Sequence, residues 1–138
     1  MGRWALRAGV AIAVAATALT PAAARADDGD GSRSEADVRV EVSCSERSRV
    51  RLRLRTRDDD LLRVEVDVRT PARGRAWTVT LVHERRLVLR VRARTDGSSG
   101  AFSLRRTIAD WPGRDLVTVR ATGPGGELCR AAAAVDGA

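Results

Sequence analysis

The stretch RVRLRLRTR, at Arg49–Arg57, alternates arginine with uncharged residues without a break, and Val50, Leu52 and Leu54 among them are apolar. Its apolar residues therefore share one side of an extended chain, while its arginines project from the other side. The same period of two appears before it, in Val38–Cys44, and after it, in Arg63–Arg69. Turn-forming residues separate these segments at Ser45–Ser48 and Asp58–Asp60. The pattern predicts three consecutive antiparallel strands, each with one apolar face.

Five more short strands are expected downstream, separated by glycine, proline and polar turns. They are Trp77–Leu81, Leu87–Arg94, Phe102–Ile108, Leu116–Thr122 and Leu128–Val135. Seven to eight such strands predict an all-β fold, an immunoglobulin-like antiparallel β-sandwich. The positions of Trp77 and the cysteines differ from those of an antibody domain, so the prediction concerns architecture and implies no shared function.

The first residues have the features of a cleaved secretory signal peptide. Arg3 and Arg7 precede the apolar run Ala8–Leu19, and Ala24–Ala26 reads A-R-A, a cleavage signal. A run of 12 residues is shorter than the roughly 20 that a helix needs to cross a bilayer. The predicted organisation is a signal peptide at 1–26, a flexible arm at 27–37 and the sandwich at 38–138. We therefore expect a secreted product, extracellular or cell-wall associated, that is not stably inserted in a membrane.

The composition excludes a disordered tail, a multidomain enzyme, a coiled coil and a multi-span membrane protein. The chain has 138 residues, of which 25 are Arg and none Lys, against 18 acids. Removal of the three arginines of the signal lowers the formal net charge from +7 to +4. Asn, Gln and Tyr are absent as well, which indicates a bias towards GC-rich codons. The basic charge therefore does not by itself indicate a nucleic-acid partner.

Cys44 and Cys129 are the only cysteines, and an even pair in an exported protein predicts a disulfide. Both are in phase with inward apolar neighbours, so the first and last strands should lie close together. We expect the two Cα atoms within about 7 Å of each other. The alternative is a pair of free, buried thiols.

Residues for catalysis or metal binding are few. His83 is the only histidine; it falls at a predicted turn, where we expect it to be exposed and without a nucleophile beside it. Zinc requires more ligands than one His and a disulfide provide. Asp58–Asp60 is either an acidic hairpin tip or a weak calcium site. We therefore predict no enzyme, no metal and no cofactor.

The arginines of the first quoted stretch are the strongest candidate site. Arg49, Arg51, Arg53 and Arg55 project to one side, about 6–7 Å apart. Such a stripe can bind sulfate, phosphate or another polyanion through bidentate contacts. The alternative is a solvated strand face that reflects codon bias, and the expected cross-strand pairing favours it. The aromatic platforms that bind single-stranded nucleic acid are missing from it, so nucleic acid is not the expected partner.

Cross-strand pairing weighs against the polyanion interpretation, because opposed charges neutralise each other. The expected neighbours on this face are Glu65 for Arg53, Asp67 and Glu41 for Arg51, Arg69 for Arg49, and Arg63 for Arg55. Arg49 and Arg55 would then stay unpaired.

Two tryptophans are further candidates. Trp77 alternates in phase with Val79 and Leu81, which favours core packing over ligand stacking. Trp111, followed by Pro112 and Gly113, lies in a loop, where it can cap the end of the sandwich or form a wall of a small-molecule cleft.

A family resemblance rests on turn and core residues. The segments concerned are Trp77–Leu81, Gly100–Phe102, Arg105–Arg106, Ala109–Asp110 and Gly126–Cys129. They resemble those of small exported, single-disulfide, all-β proteins of high-GC actinobacteria. The resemblance implies a signal peptide and a short all-β body and assigns no activity. The chain differs at Glu84-Arg85, where that group often has an Asn-Gly turn.

These observations predict a non-enzymatic structural or interaction module of the cell envelope or medium. Its partner would be an anionic envelope polymer or another exported protein. A polyanion-binding module and a small-molecule carrier are the two alternatives.

Overall fold

The computed structural model describes residues 35–137 of the chain. The predicted signal peptide and most of the predicted arm lie outside the described residues. The eight strands are β1 (Asp37–Ser43), β2 (Arg49–Arg57), β3 (Leu61–Arg69), β4 (Ala76–His83), β5 (Arg86–Arg94), β6 (Ala101–Ala109), β7 (Arg114–Thr122) and β8 (Leu128–Asp136). One 3₁₀ turn at Pro124–Gly126 is the only helical segment in this part of the chain. The prediction of an all-β fold is confirmed, and β1 begins one residue earlier than expected.

The strands form two four-stranded antiparallel sheets. Sheet A has the order β1-β2-β3-β6, and sheet B has the order β5-β4-β7-β8. Alternate residues of both sheets are buried in a shared apolar core, which includes Leu52 and Leu54 of β2 and Val117 and Val119 of β7. No helix within residues 35–137 is long and apolar enough to cross a membrane.

The predicted pairing of the first three strands is confirmed. Val42 lies opposite Val50, and Leu54 lies opposite Val64. Since side chains alternate in a strand, this register places the arginines of β2 on the outer face of sheet A.

The disulfide between Cys44 and Cys129 is confirmed, with a Cα–Cα distance of 4.3 Å. Cys44 directly follows β1, an edge strand of sheet A, and Cys129 lies in β8, an edge strand of sheet B. The covalent bond therefore joins the two sheets along one side. Beside it, the Ser48 N–H donates to the buried Glu127 carboxylate at 2.9 Å, which ties the β1–β2 turn to the start of β8.

Trp77 belongs to the core, as its phase predicts. Only 1% of its surface is exposed, and its ring centroid lies 6.5 Å from that of Phe102. Gly123 packs directly against the indole, because a Cβ built there would lie 2.5 Å from a ring carbon. A side chain at position 123 would therefore displace the ring.

The hairpin turn between β4 and β5 consists of Glu84 and Arg85, whose φ angles are 46° and 65°. Two consecutive left-handed residues are the pattern of a type I′ turn, which suits the twist of a two-residue hairpin. Glu84 is held in place from β7, because its carboxylate accepts a hydrogen bond from the Leu116 N–H at 2.5 Å.

Candidate functional site

The outer face of sheet A carries the four arginines that the sequence singled out. Each of them lies within 4 Å of a carboxylate on β1. Glu41 forms ion pairs with Arg49 at 3.4 Å and with Arg51 at 3.0 Å. Asp37 forms ion pairs with Arg53 and Arg55. The arginine stripe is thus already engaged with anions of the chain itself.

The expected opposition of Arg49 to Arg69 and of Arg55 to Arg63 is confirmed. The expectation that these two β2 arginines stay unpaired is wrong. Long guanidinium side chains reach diagonally along the face, so Arg55 approaches Asp37 to 3.4 Å. The sequence argument missed Asp37 because it assigned that residue to the flexible arm.

The arginines perturb the two carboxylates of β1. The hydrogen bond from Arg53, whose Nε lies 2.8 Å from Oδ1, lowers the pKa of Asp37 to about 2. The hydrogen bond from Arg51 lowers the pKa of Glu41 in the same way. Both carboxylates therefore stay ionised over the physiological range. An external anion would have to compete with them for the guanidinium groups.

A small pocket of about 130 Å³ lies on this face. Three arginines line it, Arg49, Arg51 and Arg69, together with the carboxylates of Glu41 and Asp67. The acids give the pocket a mixed charge that disfavours anions.

The outer face of sheet B differs in charge. Five arginines project from it: Arg90, Arg92 and Arg94 on β5, Arg120 on β7, and Arg130 on β8. Along β5 they follow one another at about 6.6 Å, twice the strand rise. Across the sheet, Arg120 lies directly opposite Arg130. We call these five residues the sheet B arginine cluster.

Carboxylates are missing from this cluster. Within residues 35–137, Arg90, Arg92, Arg120 and Arg130 form no ion pair with an acid, and Arg94 donates to the Gly74 carbonyl at 2.6 Å. Like charges directly opposite each other destabilise a sheet. The cluster therefore has a repulsion that a bound anion would relieve.

A pocket of about 430 Å³ opens inside the cluster. Five side chains line it: Arg90 and Arg120, and the threonines Thr78, Thr80 and Thr122. It combines guanidinium and hydroxyl groups without an acid, so it can accept hydrogen bonds from a neutral group and bind a negative one.

Sequence reasoning missed this cluster, although the alternation in Leu87–Arg94 was visible. Arg120 and Arg130 join Arg90 only through the strand order β5-β4-β7-β8. That order brings together residues 30 to 40 positions apart in the chain. No local pattern indicates it.

His83 is buried, and the expectation of an exposed turn histidine is wrong. The turn is limited to two residues, so His83 stays in β4 and continues the inward phase of Trp77, Val79 and Leu81. Its Nε2 is hydrogen-bonded to Asp115 Oδ1, and its ring stacks on Trp111 with 4.3 Å between centroids.

Trp111 covers this histidine at one end of the sandwich, which agrees with the capping role considered for it. Its backbone N–H donates to Asp115 at 3.2 Å, and the Arg86 guanidinium lies 5.1 Å from its ring centroid. Neither of the two pockets described above includes Trp111. The arrangement closes this end of the core and leaves only 3% of His83 exposed.

Asp58–Asp60 forms the exposed β2–β3 turn, which agrees with the prediction of an acidic hairpin tip. Within the described residues, no group of three or more His, Cys, Asp or Glu side chains could hold a metal ion.

No family model matches the chain, and neither a curated protein nor a solved structure matches it. The resemblance to exported actinobacterial proteins therefore stays a prediction.

Proposed function

We propose that this chain is an exported, non-enzymatic interaction module that binds an anionic polymer through the outer face of sheet B. One observation carries the proposal: the sheet B arginine cluster has no neutralising acid among the described residues. A flat row of guanidinium groups on several strands suits an extended polyanion, because each group can form bidentate contacts with sulfate, phosphate or carboxylate.

Export is part of the proposal. The N-terminal pattern of Arg3, Arg7 and Ala24–Ala26 supports it, as does a disulfide, since such bonds persist in oxidising compartments. We also propose that the sandwich is immunoglobulin-like and that the protein acts in the medium or at the cell wall. Secretion from a host that recognises the signal should give a product beginning at Asp27. A product that keeps Met1 and stays with the cytosol would contradict export.

The arginine stripe of sheet A is a second candidate for the same activity. Two carboxylates, Asp37 and Glu41, are shared by four guanidinium groups, so positive charge remains on that face. The stripe of sheet A is nonetheless paired with carboxylates of the chain itself, whereas the arginines of sheet B need an external anion as their partner.

Heparin chromatography tests the proposal with a matched pair of variants. Arg90→Ala with Arg120→Ala removes two charges from sheet B, and Arg49→Ala with Arg55→Ala removes two from sheet A. The overall charge is equal in the two variants, so a difference between them reports the site. We expect the sheet B variant to elute at clearly lower salt, since each lost phosphate-like contact weakens the salt-dependent term.

Three results would overturn the proposal. Equal elution of both variants would mean that only overall charge matters. A larger loss in the sheet A variant would assign binding to that face. Failure of the unaltered protein to be retained would remove polyanion binding altogether.

A further inference from the structure

The pocket inside the sheet B arginine cluster has three hydroxyl groups as well as two guanidinium groups. Thr78 and Thr80 lie on β4, between Arg90 of β5 and Arg120 of β7, and Thr122 lies opposite Thr78. Within residues 35–137, none of these three hydroxyls makes a hydrogen bond. They are half-buried at the floor of the pocket.

A hydroxyl can both donate and accept, whereas a guanidinium only donates. A ligand that uses the whole pocket must therefore bring neutral hydrogen-bonding groups and negative groups at short intervals. A polymer with phosphates alone would accept hydrogen bonds from Arg90, Arg120 and the threonine hydroxyls, but it has no donor for the oxygens of those hydroxyls. A sugar that bears sulfate or carboxylate brings its own hydroxyls next to its charge.

We infer that this pocket binds an acidic sugar unit of a linear anionic polysaccharide. The inference rests on the proposed function and names its ligand class. Arg90 and Arg120 bind the sulfate or carboxylate, and the hydroxyls of Thr78, Thr80 and Thr122 bind the hydroxyls of the ring. The neighbouring Arg92 and Arg130 extend the charged track to adjacent units of the polymer.

The side chains of the cluster fit a flexible polysaccharide better than a nucleic acid, whether single-stranded or duplex. The cluster contains no aromatic side chain on which a base could stack. It is about one sheet wide, since four strands at about 4.8 Å span roughly 15 Å. Hydroxyl contacts in the floor also require a ligand that settles into the pocket, which a rigid duplex held by its phosphates does not do.

The test compares two probes of different chemistry, heparin oligosaccharides and inorganic polyphosphate of similar charge. The variant is Thr78→Val, Thr80→Val and Thr122→Val combined. Valine keeps the β-branched shape and strand preference of threonine while removing the hydroxyl. Thr118→Val is the matched control, because Thr118 lies on the same face between Val82 and Ala132, away from the pocket.

We expect the triple variant to bind heparin about tenfold more weakly, since each lost hydrogen bond contributes modestly. It should lose clearly less affinity for polyphosphate, which accepts hydrogen bonds from the hydroxyls but donates none to them. The control variant should bind both probes as the unaltered protein does. Circular dichroism and the melting temperature establish that each variant is folded.

Several outcomes would overturn the inference and leave the proposed function in place. The triple variant could keep its heparin affinity, or lose affinity for both probes equally. Duplex DNA, measured as a third probe, could bind more tightly than heparin, which would assign the face to nucleic acid. If the unaltered protein binds neither heparin nor polyphosphate, the proposed function itself fails.

Discussion

His83 and Asp115 are joined by a hydrogen bond between Nε2 and Oδ1 at one end of the core. Both side chains are buried, with exposed fractions of 3% and 1%. The same carboxylate accepts the backbone N–H of Trp111 at 3.2 Å. One acid therefore holds the histidine of β4 and the tryptophan loop together.

Loss of this carboxylate should destabilise the fold. Asp115→Ala leaves the His83 nitrogen and the Trp111 N–H without a partner, at a cost of about 3 kcal/mol for buried polar groups. Asp115→Asn keeps an acceptor oxygen and should cost clearly less. Urea unfolding, followed by tryptophan fluorescence, measures both variants. An alanine variant as stable as the unaltered protein would show that the pair does not support the core.

The disulfide should contribute a large share of the stability, because it joins the edge strands of the two sheets. It closes a loop of 85 residues, and loss of a native bridge from a small exported domain typically costs about 2–5 kcal/mol. We expect Cys44→Ser with Cys129→Ser to lower the melting temperature markedly. The unaltered protein under reducing conditions should behave as this variant does. If reduction and substitution leave the melting temperature unchanged, the bridge has no role in stability.

The sequence was most informative where neighbouring strands are joined by short hairpins. The alternation in Arg49–Arg57 determined which side chains face inward, and one apolar pair for each hairpin set the register. The closeness of the first and last strands was predictable because a disulfide between Cys44 and Cys129 holds them together. These features depend on residues close in the chain or on a covalent bond.

The candidate site was much less predictable. The sheet B arginine cluster depends on β7 lying beside β4. Between these two strands the chain passes through β5 and then through β6, which belongs to the other sheet. His83 was assigned to the turn because the turn was expected to be four residues long. Two left-handed residues, Glu84 and Arg85, shorten it, and neither is a typical residue for that conformation. The arginine cluster was therefore missed because it depends on pairing between distant strands, and the burial of His83 because the turn beside it has unusual residues.

Acid should weaken the link between β1 and β2. Arg53 holds the pKa of Asp37 at about 2, below its usual 3.8. A carboxyl whose pKa is lower in the folded state stabilises the fold fully above the unfolded value. That stabilisation is lost as the pH falls through the folded value. The contribution should therefore decline between pH 3.8 and about 2.

NMR titration of the Asp37 side-chain carboxyl tests this directly. We expect a midpoint near 2 in the unaltered protein and a rise towards 3.8 in Arg53→Gln. Arg63→Gln removes a charge from the same face without touching Asp37, so the midpoint should stay low there. A rise of the same size in both variants would mean that the general charge of the face, and not the Arg53 contact, lowers the pKa.

The β4–β5 turn contains a correctable strain at Arg85, whose φ is 65°. A residue with a Cβ loses about 1–2 kcal/mol in the left-handed region, whereas glycine adopts it freely. Part of the gain is offset because glycine makes the unfolded chain more flexible. We therefore expect Arg85→Gly to raise the free energy of unfolding by about 0.5–1 kcal/mol.

Arg85→Ala is the matched control, since it removes the same charged side chain but keeps the Cβ, and it should give no such gain. Thermal unfolding of the two variants distinguishes the two causes. Equal stabilisation by alanine and glycine would mean that the charged side chain, and not backbone strain in the turn, lowers the stability.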